Sequence, residues 1–415
     1  MNEPKLRFKA DDGSQFPDWE EKKLGDITSQ YKVRNKKRLP LEIYSVNNIV
    51  GFIPQSEQFD DAGYLKDTDT SIYMIVPPKH FAYNPARLDI GSIGYQYLDH
   101  DVQVSSLYEV FETSNLVNDE FLWSWFHTHY FNNVVKRLQE GGVRLYFYYD
   151  KMQEVKIGLP SLPEQQKIAE FLSTIDTMIE KQKETVSAWE ERKKGVMQKL
   201  FSQEVRFKAD DGSDFLEWEE KSFSDVFENL NNSTFSRDCL NYEAGNVKYI
   251  HYGDILTKFG FAIDVQSSNV PYVNDDLDCE KYASLSDGDI VIADTAEDDT
   301  VGKAVEIMNT HCGKTISGLH TIACHPKEKF ASKYLGYFMN AGIYHNQLRP
   351  YMQGIKVTSV SKTNIALTKI LVPCLEEQQK IADCLSSLDE VIEKQKATLA
   401  AWEELKKGLL QQMFV

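Results

Sequence analysis

Cysteine is absent from the first half of the chain. The six that exist, Cys239, Cys279, Cys312, Cys324, Cys374 and Cys384, include no C-x-x-C pair. That spacing offers neither a disulfide framework nor a zinc ribbon, so reduced thiols are the expectation. No apolar run approaches the roughly 18 residues that a membrane helix needs. The opening Met1-Asn2-Glu3-Pro4-Lys5 leads into charge without an apolar signal core, which points to the cytoplasm and to no membrane partner. A nucleotide-driven motor needs a G-x-x-x-x-G-K-[ST] phosphate cradle; Gly313-Lys314-Thr315 is present, but Met308 stands where the first glycine belongs. His311, Cys312, His320, Cys324 and His325 gather at a spacing that fits no zinc pattern, so no metal site is expected. Glu297-Asp298-Asp299, with Asp294 nearby, reads as a solvated loop rather than a Mg²⁺ site; such a loop is also able to accept from cytosine N4 in a major groove.

Positive charge is scarce too. Lys and Arg number 46 against 63 Asp and Glu, for a net charge of −17, which is awkward for a nucleic-acid binder because phosphate contact needs local positive charge. The distribution matters more than the sum. Residues 22–156 carry 15 basic and 17 acidic side chains and residues 221–370 carry 14 and 18, so most of the excess acid lies elsewhere. Lys32, Arg34, Lys36, Lys37 and Arg38 place five basic residues within seven.

What the chain has in plenty is repetition. Arg7-Phe8-Lys9-Ala10-Asp11-Asp12-Gly13-Ser14 recurs unchanged as Arg206-Phe207-Lys208-Ala209-Asp210-Asp211-Gly212-Ser213, an offset of 199. Residues 160–201 match residues 373–414 at an offset of 213, with 26 of 42 positions identical. The order is leader, variable stretch, near-identical block, and then the same three again.

The near-identical blocks read as long helices. Ser161-Leu162-Pro163-Glu164 has the S-x-x-E form of a capping box. From there Ile168, Ile175, Gln182, Trp189 and Val196 fall seven apart, and Leu172, Ile179, Val186, Lys193 and Leu200 form a second row. The other copy repeats both rows as Ile381, Leu388, Gln395, Trp402, Leu409 and Leu385, Ile392, Leu399, Lys406, Met413. Two interleaved heptad rows make a coiled-coil seam. An antiparallel pairing of the two copies sets Gln182 against Gln395, read either as a buried polar pair that fixes register or as solvated seam positions.

The variable stretches share a skeleton but little sequence. Residues 119–131 and 332–344 look like short amphipathic helices, each followed at the same offset by a glycine-bearing turn, Gly141-Gly142-Val143-Arg144 and Gly354-Ile355-Lys356-Val357. Residues 71–76, 289–292 and 368–372 read as strands. The expected fold class is α+β, with two tandem mixed α/β domains separated by two long helices that form an antiparallel coiled coil with pseudo-two-fold symmetry.

At Leu162-Pro163-Glu164-Gln165-Gln166-Lys167-Ile168-Ala169 and Leu375-Glu376-Glu377-Gln378-Gln379-Lys380-Ile381-Ala382, each opening a helix that runs on to Trp189-Glu190-Glu191 or Trp402-Glu403-Glu404, the chain resembles the specificity subunit of a type I restriction-modification system. The resemblance covers essentially the whole chain. It implies target-recognition domains at residues 1–158 and 203–371 and coiled-coil spacers at 159–202 and 372–415. It also implies a bipartite target in double-stranded DNA read through the major groove, two methyltransferase subunits docked on the helices, and restriction subunits beyond them. The chain itself is then no enzyme and binds no cofactor; S-adenosylmethionine, ATP and Mg²⁺ belong to partner subunits. A [DNS]-P-P-[YF] loop for adenine methylation is lacking, the only Pro-Pro being Val76-Pro77-Pro78-Lys79. A coiled-coil protein scaffold without sequence-specific DNA binding is the competing reading, supported by the net charge.

For DNA contact the candidates are Lys32, Arg34, Lys36, Lys37, Arg38, Lys136, Arg144, Arg349, Lys356 and Lys362, because Arg and Lys on loops pair with guanine O6 and N7 or with phosphate. Lys136 and Arg349 align at the 213 offset, which suggests phosphate anchoring or, equally, charge on a solvated helix end. Tyr146-Phe147-Tyr148-Tyr149 offers stacking surface or, as a strand feeding the helix, core packing. The seam candidates are Ile168, Leu172, Ile175, Ile179, Gln182, Trp189, Ile381, Leu385, Leu388, Ile392, Gln395 and Trp402.

Overall fold

The glutamate of each E-Q-Q-K segment has no exposed surface: Glu164 and Glu377 are both 0% exposed. A carboxylate removed from water needs partners for both oxygens. Arg7 supplies them in the computed structural model, with Nε 3.0 Å from Oε1 and Nη2 2.9 Å from Oε2, and Arg206 holds Glu377 at the same two distances. Each guanidinium donates a further bond to a leader carbonyl, Pro17 or Leu216, at 2.6 Å. One helical turn on, Lys167 reaches the Lys9 carbonyl and Asp11, and Lys380 reaches the Lys208 carbonyl and Asp210. The leader is thereby clasped to the start of its long helix in both copies. The expected capping box does not form: Arg7 engages the Glu164 carboxylate, and the Ser161 hydroxyl is left buried with no hydrogen-bond partner among the described residues.

The structure describes residues 4–47, 51–58, 69–140, 145–354 and 356–414. They fall into two units, Met1–Glu184 with Ala397–Val415, and Thr185–Lys396. The division passes through both long helices, Leu162–Phe201 and Leu375–Met413.

In the first unit the leader strand Glu20–Lys23 pairs antiparallel with Lys156–Leu159, the strand that feeds the long helix. A four-stranded antiparallel sheet runs in the order Thr28–Gln30, Glu109–Thr113, Phe81–Tyr83, Ile93–Tyr95. Its inner face buries Phe81, Tyr83 and Phe111 against Phe121, Trp125, Phe126 and Phe131 from two helices, Asp119–Phe126 and His129–Leu138. In the second unit Glu219–Ser222 pairs with Lys369–Val372 in the corresponding register. The sheet here has five strands, Phe227–Asn229, Thr321–Pro326, Ile290–Ala293, Ala304–Met308 and Ala262–Asp264, the last parallel to its neighbour. A second, four-stranded sheet joins it. The ends of the frame match while the inserts differ in strand number, which is how unlike sequences fit one plan.

Where one helix was expected in each domain, the structure has two. Thr128 breaks the first pair by capping the next helix, its hydroxyl accepting from Phe131 N and donating to Trp125 O. In the second unit Tyr334–Met339 stops before Gly342–Leu348, with Asn340 donating back to the Gly336 carbonyl. The strand expected at residues 71–76 begins late, as a 3-10 turn Thr70–Ile72 followed by Met74–Val76.

Each unit contains a part of both long helices, the two parts running antiparallel. In the first, Ile168 and Leu172 share a core with Leu410, Met413 and Phe414, and Lys406 pairs with Asp176 at 2.5 Å. In the second, Ile381 and Leu385 share a core with Met197, Leu200 and Phe201, and Lys193 pairs with Asp389 at 2.5 Å. The two ion pairs are the same pair 213 residues apart. Phe414 meets Phe121 at 5.3 Å and Phe201 meets Tyr334 at 5.9 Å, so each helix ends as an apolar plug in the core of the unit where it terminates. Ile175, Ile179 and Ile392 are buried, whereas Trp189, Leu388 and Trp402 are half-buried. Gln182 and Gln395, also half-buried, belong to different units.

Glu306 is a second buried acid, 2% exposed, and accepts from the amides of Lys333 at 2.6 Å and Gly336 at 3.0 Å. Burial pushes its carboxyl up to about 7. The unfolded chain ionises this group at lower pH than the folded chain does, so its contribution to stability is present in acid and drains away as pH rises toward about 7. Unfolding free energy measured by urea titration should show that decline across weakly acidic pH, and Glu306→Gln should flatten it. Separately, Glu164→Ala or Glu377→Ala strands a partly buried guanidinium and should cost about 2–4 kcal/mol in the same measurement.

Candidate nucleic-acid interface

Among the five cations of residues 32–38 stands one neutral amide, and it organises the rest. Asn35 is 1% exposed. Its Nδ2 donates to Leu39 O at 2.8 Å and to Gln103 Oε1 at 3.0 Å, and its Oδ1 accepts from Leu39 N at 2.7 Å. With every polar atom of that side chain bonded inward, the neighbours Lys32, Arg34, Lys36, Lys37 and Arg38 all face out, exposed. Arg38 adopts a left-handed backbone, φ 52°, and reaches Asp69 at 3.3 Å. The loop is launched by Tyr31, whose N donates to Val110 O at 2.8 Å and whose ring rests edge-on against His80 at 4.8 Å.

The remaining candidates of the first unit lie apart from this loop in the chain. Lys136 is exposed in the last turn of His129–Leu138, beside Arg137, where a cation complements the helix dipole. Arg144 and its glycine turn lie outside the described residues. The tyrosine run does not form one strand. Phe147 and Tyr149 are buried, the latter bonded through its hydroxyl to Thr28 at 2.8 Å, while Tyr146 and Tyr148 stack on each other at 5.5 Å, with Tyr148 exposed.

In the second unit Arg349 occupies the place of Lys136, at the end of Gly342–Leu348. It is bound to Asp299 at 2.8 Å, and its hydrogen bond is the main reason the Asp299 carboxyl lies below its usual range. Lys356 is exposed just past Gly354. That glycine has φ 123°, and a Cβ on it would fall 1.8 Å from the Val357 carbonyl oxygen, so the turn admits no side chain. Lys362 is exposed on Lys362–Ile365. The acidic run is tied locally, Asp298 to Thr300 and Asp299 to Arg349. Cys324 is fully buried, and His325 lies 2.5 Å from Asp289.

Two arrangements escape a linear reading. His320 sits at φ 57° in a tight turn, 3.5 Å from Asp294 and edge-on to Tyr252 at 5.3 Å. The other is an exchanged pair. Ser29 faces Glu112 and Glu228 faces His325 at corresponding places in the two sheets. Across from them, His80 lies 3.6 Å from Glu112 and Asp289 lies 2.5 Å from His325. Histidine and carboxylate have traded positions between the copies, so an identity-based comparison sees two mismatches where the structure keeps one contact. Burial raises the Asp289 carboxyl, against the pull of His325.

Among the described residues no helix is long and apolar enough to cross a membrane, and no group of three or more His, Cys, Asp or Glu is placed to hold a metal ion. The family model for the type I restriction modification DNA specificity domain matches twice, over residues 17–186 and 216–401. The type I restriction enzyme MjaVIII specificity subunit of Methanocaldococcus jannaschii is 24% identical, over 97% of this chain and 94% of its own length. The putative MjaX specificity subunit of the same organism is 23% identical over the same shares. Among solved structures, a chain from a study of complex assembly and conformational transition of the type I R-M system aligns at TM-score 0.57 and 15% identity, covering 96% of this chain and 97% of that one. The S subunit from M. genitalium aligns at TM-score 0.52 and 13% identity, covering 100% and 99%.

Asn35 yields the prediction. Its replacement by alanine leaves the Leu39 amide and the Gln103 side chain short of partners, which should cost about 1–3 kcal/mol. Trypsin should then cut within residues 32–38 faster than in the parent, at unchanged loop charge; an unaltered digestion rate would show that the basic loop holds its shape by other means.

Proposed function

The chain belongs to the family of type I restriction-modification DNA specificity domains, matched in both of its halves, and we propose that it is the subunit that reads a two-part DNA sequence for such an enzyme. The observation that carries this reading is the doubled frame. Leader, two-stranded ribbon, buried Arg–Glu clasp and long helix occur twice with the same geometry, and each frame encloses an insert with its own sheet. Equal attachments serve equal partners, so two methyltransferase subunits dock on the repeated helices, with restriction subunits joining them. Unequal inserts serve unequal half-sites in double-stranded DNA.

The chemistry of modification and cleavage then belongs to those partners, together with S-adenosylmethionine, ATP and Mg²⁺. What this chain contributes is orientation and choice. Exposed Arg and Lys, Lys32 to Arg38 on a loop of one domain and Lys356 and Lys362 in the other, supply phosphate contacts and donors for guanine.

The chain assembled with its methyltransferase partner should enrich one bipartite motif from random duplex DNA, with affinity that falls steeply as salt rises. Methylome sequencing of cells with and without the gene should lose that same motif. Enrichment of no sequence, with the partner still bound, would leave a protein scaffold in place of a reader.

A further inference from the structure

The two recognition domains send out a loop from corresponding places, and the loops differ in charge. Tyr31 N donates to Val110 O in the first domain and Leu230 N donates to Ala323 O in the second, each at 2.8 Å and 199 residues apart. The chain then continues as Lys32-Val33-Arg34-Asn35-Lys36-Lys37-Arg38 in one and Asn231-Asn232-Ser233-Thr234-Phe235-Ser236-Arg237 in the other. Both are pinned to the domain beneath, Asn35 N to Tyr73 O and Ser233 N to Ser317 O, each at 2.9 Å.

The first loop shows five cations. Among the described residues only Arg38 has a carboxylate at ion-pair distance. The second loop has a single cation, Arg237, and it is already engaged by a carboxylate. Its two terminal nitrogens lie 3.0 and 2.9 Å from the carboxylate of Asp254, which is 0% exposed and also holds Lys258 at 2.9 Å. Burial works to raise the Asp254 carboxyl, yet the bonds from Arg237 and Lys258 outweigh it and keep it below its usual range. Where the first loop has Lys36, the second has Phe235, packed at 5.4 Å against Tyr282.

We infer that the two domains hold the DNA phosphate backbone unequally: residues 32–38 of the first domain carry an electrostatic grip, and residues 231–237 of the second meet the duplex as a neutral hydrogen-bonding surface. This rests on the DNA-reading function proposed above and adds which of the two corresponding loops supplies salt-sensitive contact. Each phosphate neutralised by Lys or Arg releases counterions and contributes a slope of about −0.9 to log affinity against log salt. Lys32, Arg34, Lys36 and Lys37 together therefore account for a slope of about −3 to −4, or roughly 100-fold in affinity between about 50 and 200 mM salt.

The test uses the full chain assembled with its methyltransferase partner and, as probe, a duplex carrying the motif that the wild-type assembly enriches. The variant Lys32→Gln, Arg34→Gln, Lys36→Gln, Lys37→Gln should bind with a slope shallower by about 3–4. Lys36→Gln with Lys37→Gln alone should remove about half of that, which guards against misfolding of the larger variant. Thr234→Lys with Ser236→Lys, at exposed positions of the second loop, should steepen the slope. An unchanged slope in the neutralised variants, or in the lysine-bearing one, overturns the inference. A wild-type assembly that enriches no motif defeats the underlying function instead, and the two failures are told apart by that first selection.

Discussion

The structure depends on a carboxylate that has left water and the arginine that holds it. Arg7 on Glu164 and Arg206 on Glu377 are bidentate contacts to carboxylates with no exposed surface. A fork of two parallel bonds fixes direction as well as distance. Because the arginine lies in the leader and the glutamate at the head of the helix, the contact closes each recognition domain into a loop of chain that begins and ends at one point. The ribbon Glu20–Lys23 with Lys156–Leu159, and its counterpart, are laid alongside that closure. Between the fixed ends the insert is free to take four sheet strands or five.

The long helices were legible because heptad rows are a property of spacing, and 26 identities in 42 positions need no geometry to be seen. The antiparallel course followed from the same rows, and the matched pairs Lys193–Asp389 and Lys406–Asp176 realise it within each unit. What the spacing concealed was the work of single side chains. Glu164 has the sequence context of a cap, but Arg7, 157 residues away, claims it first. Thr128 splits a helix whose apolar pattern runs on unbroken. The basic loop announces itself by composition, yet the residue that gives it shape is Asn35, the least conspicuous of the seven. The exchange of His80 and Glu112 for Asp289 and His325 leaves no trace in a comparison of identities.

Likeness of frame and unlikeness of insert also divide the labour. Phe201 and Phe414 plug corresponding cores, and the lysine seam pairs repeat, so the helices make the same contacts once in each unit. In the second unit Lys193 lies 4.4 Å from the Phe261 ring and 5.2 Å from that of Tyr337, whose hydroxyl donates to Asp389. There the seam pair is knitted into the recognition domain itself. The doubled plan is thus a template that each half finishes with its own residues.

The second letter of the repeated signature completes that template. Gln165 accepts from Asn118 N at 2.7 Å and donates to the carbonyls of Leu116 and Pro160. Gln378 accepts from Ala331 N at 2.9 Å and donates to the Pro373 carbonyl. Asn118 and Ala331 stand at the same place 213 residues apart, with nothing in common but a peptide amide. A socket that grips only main chain is indifferent to vocabulary: it admits whatever cassette arrives with an amide at that point. Such a protein changes the word it reads without rebuilding its spine.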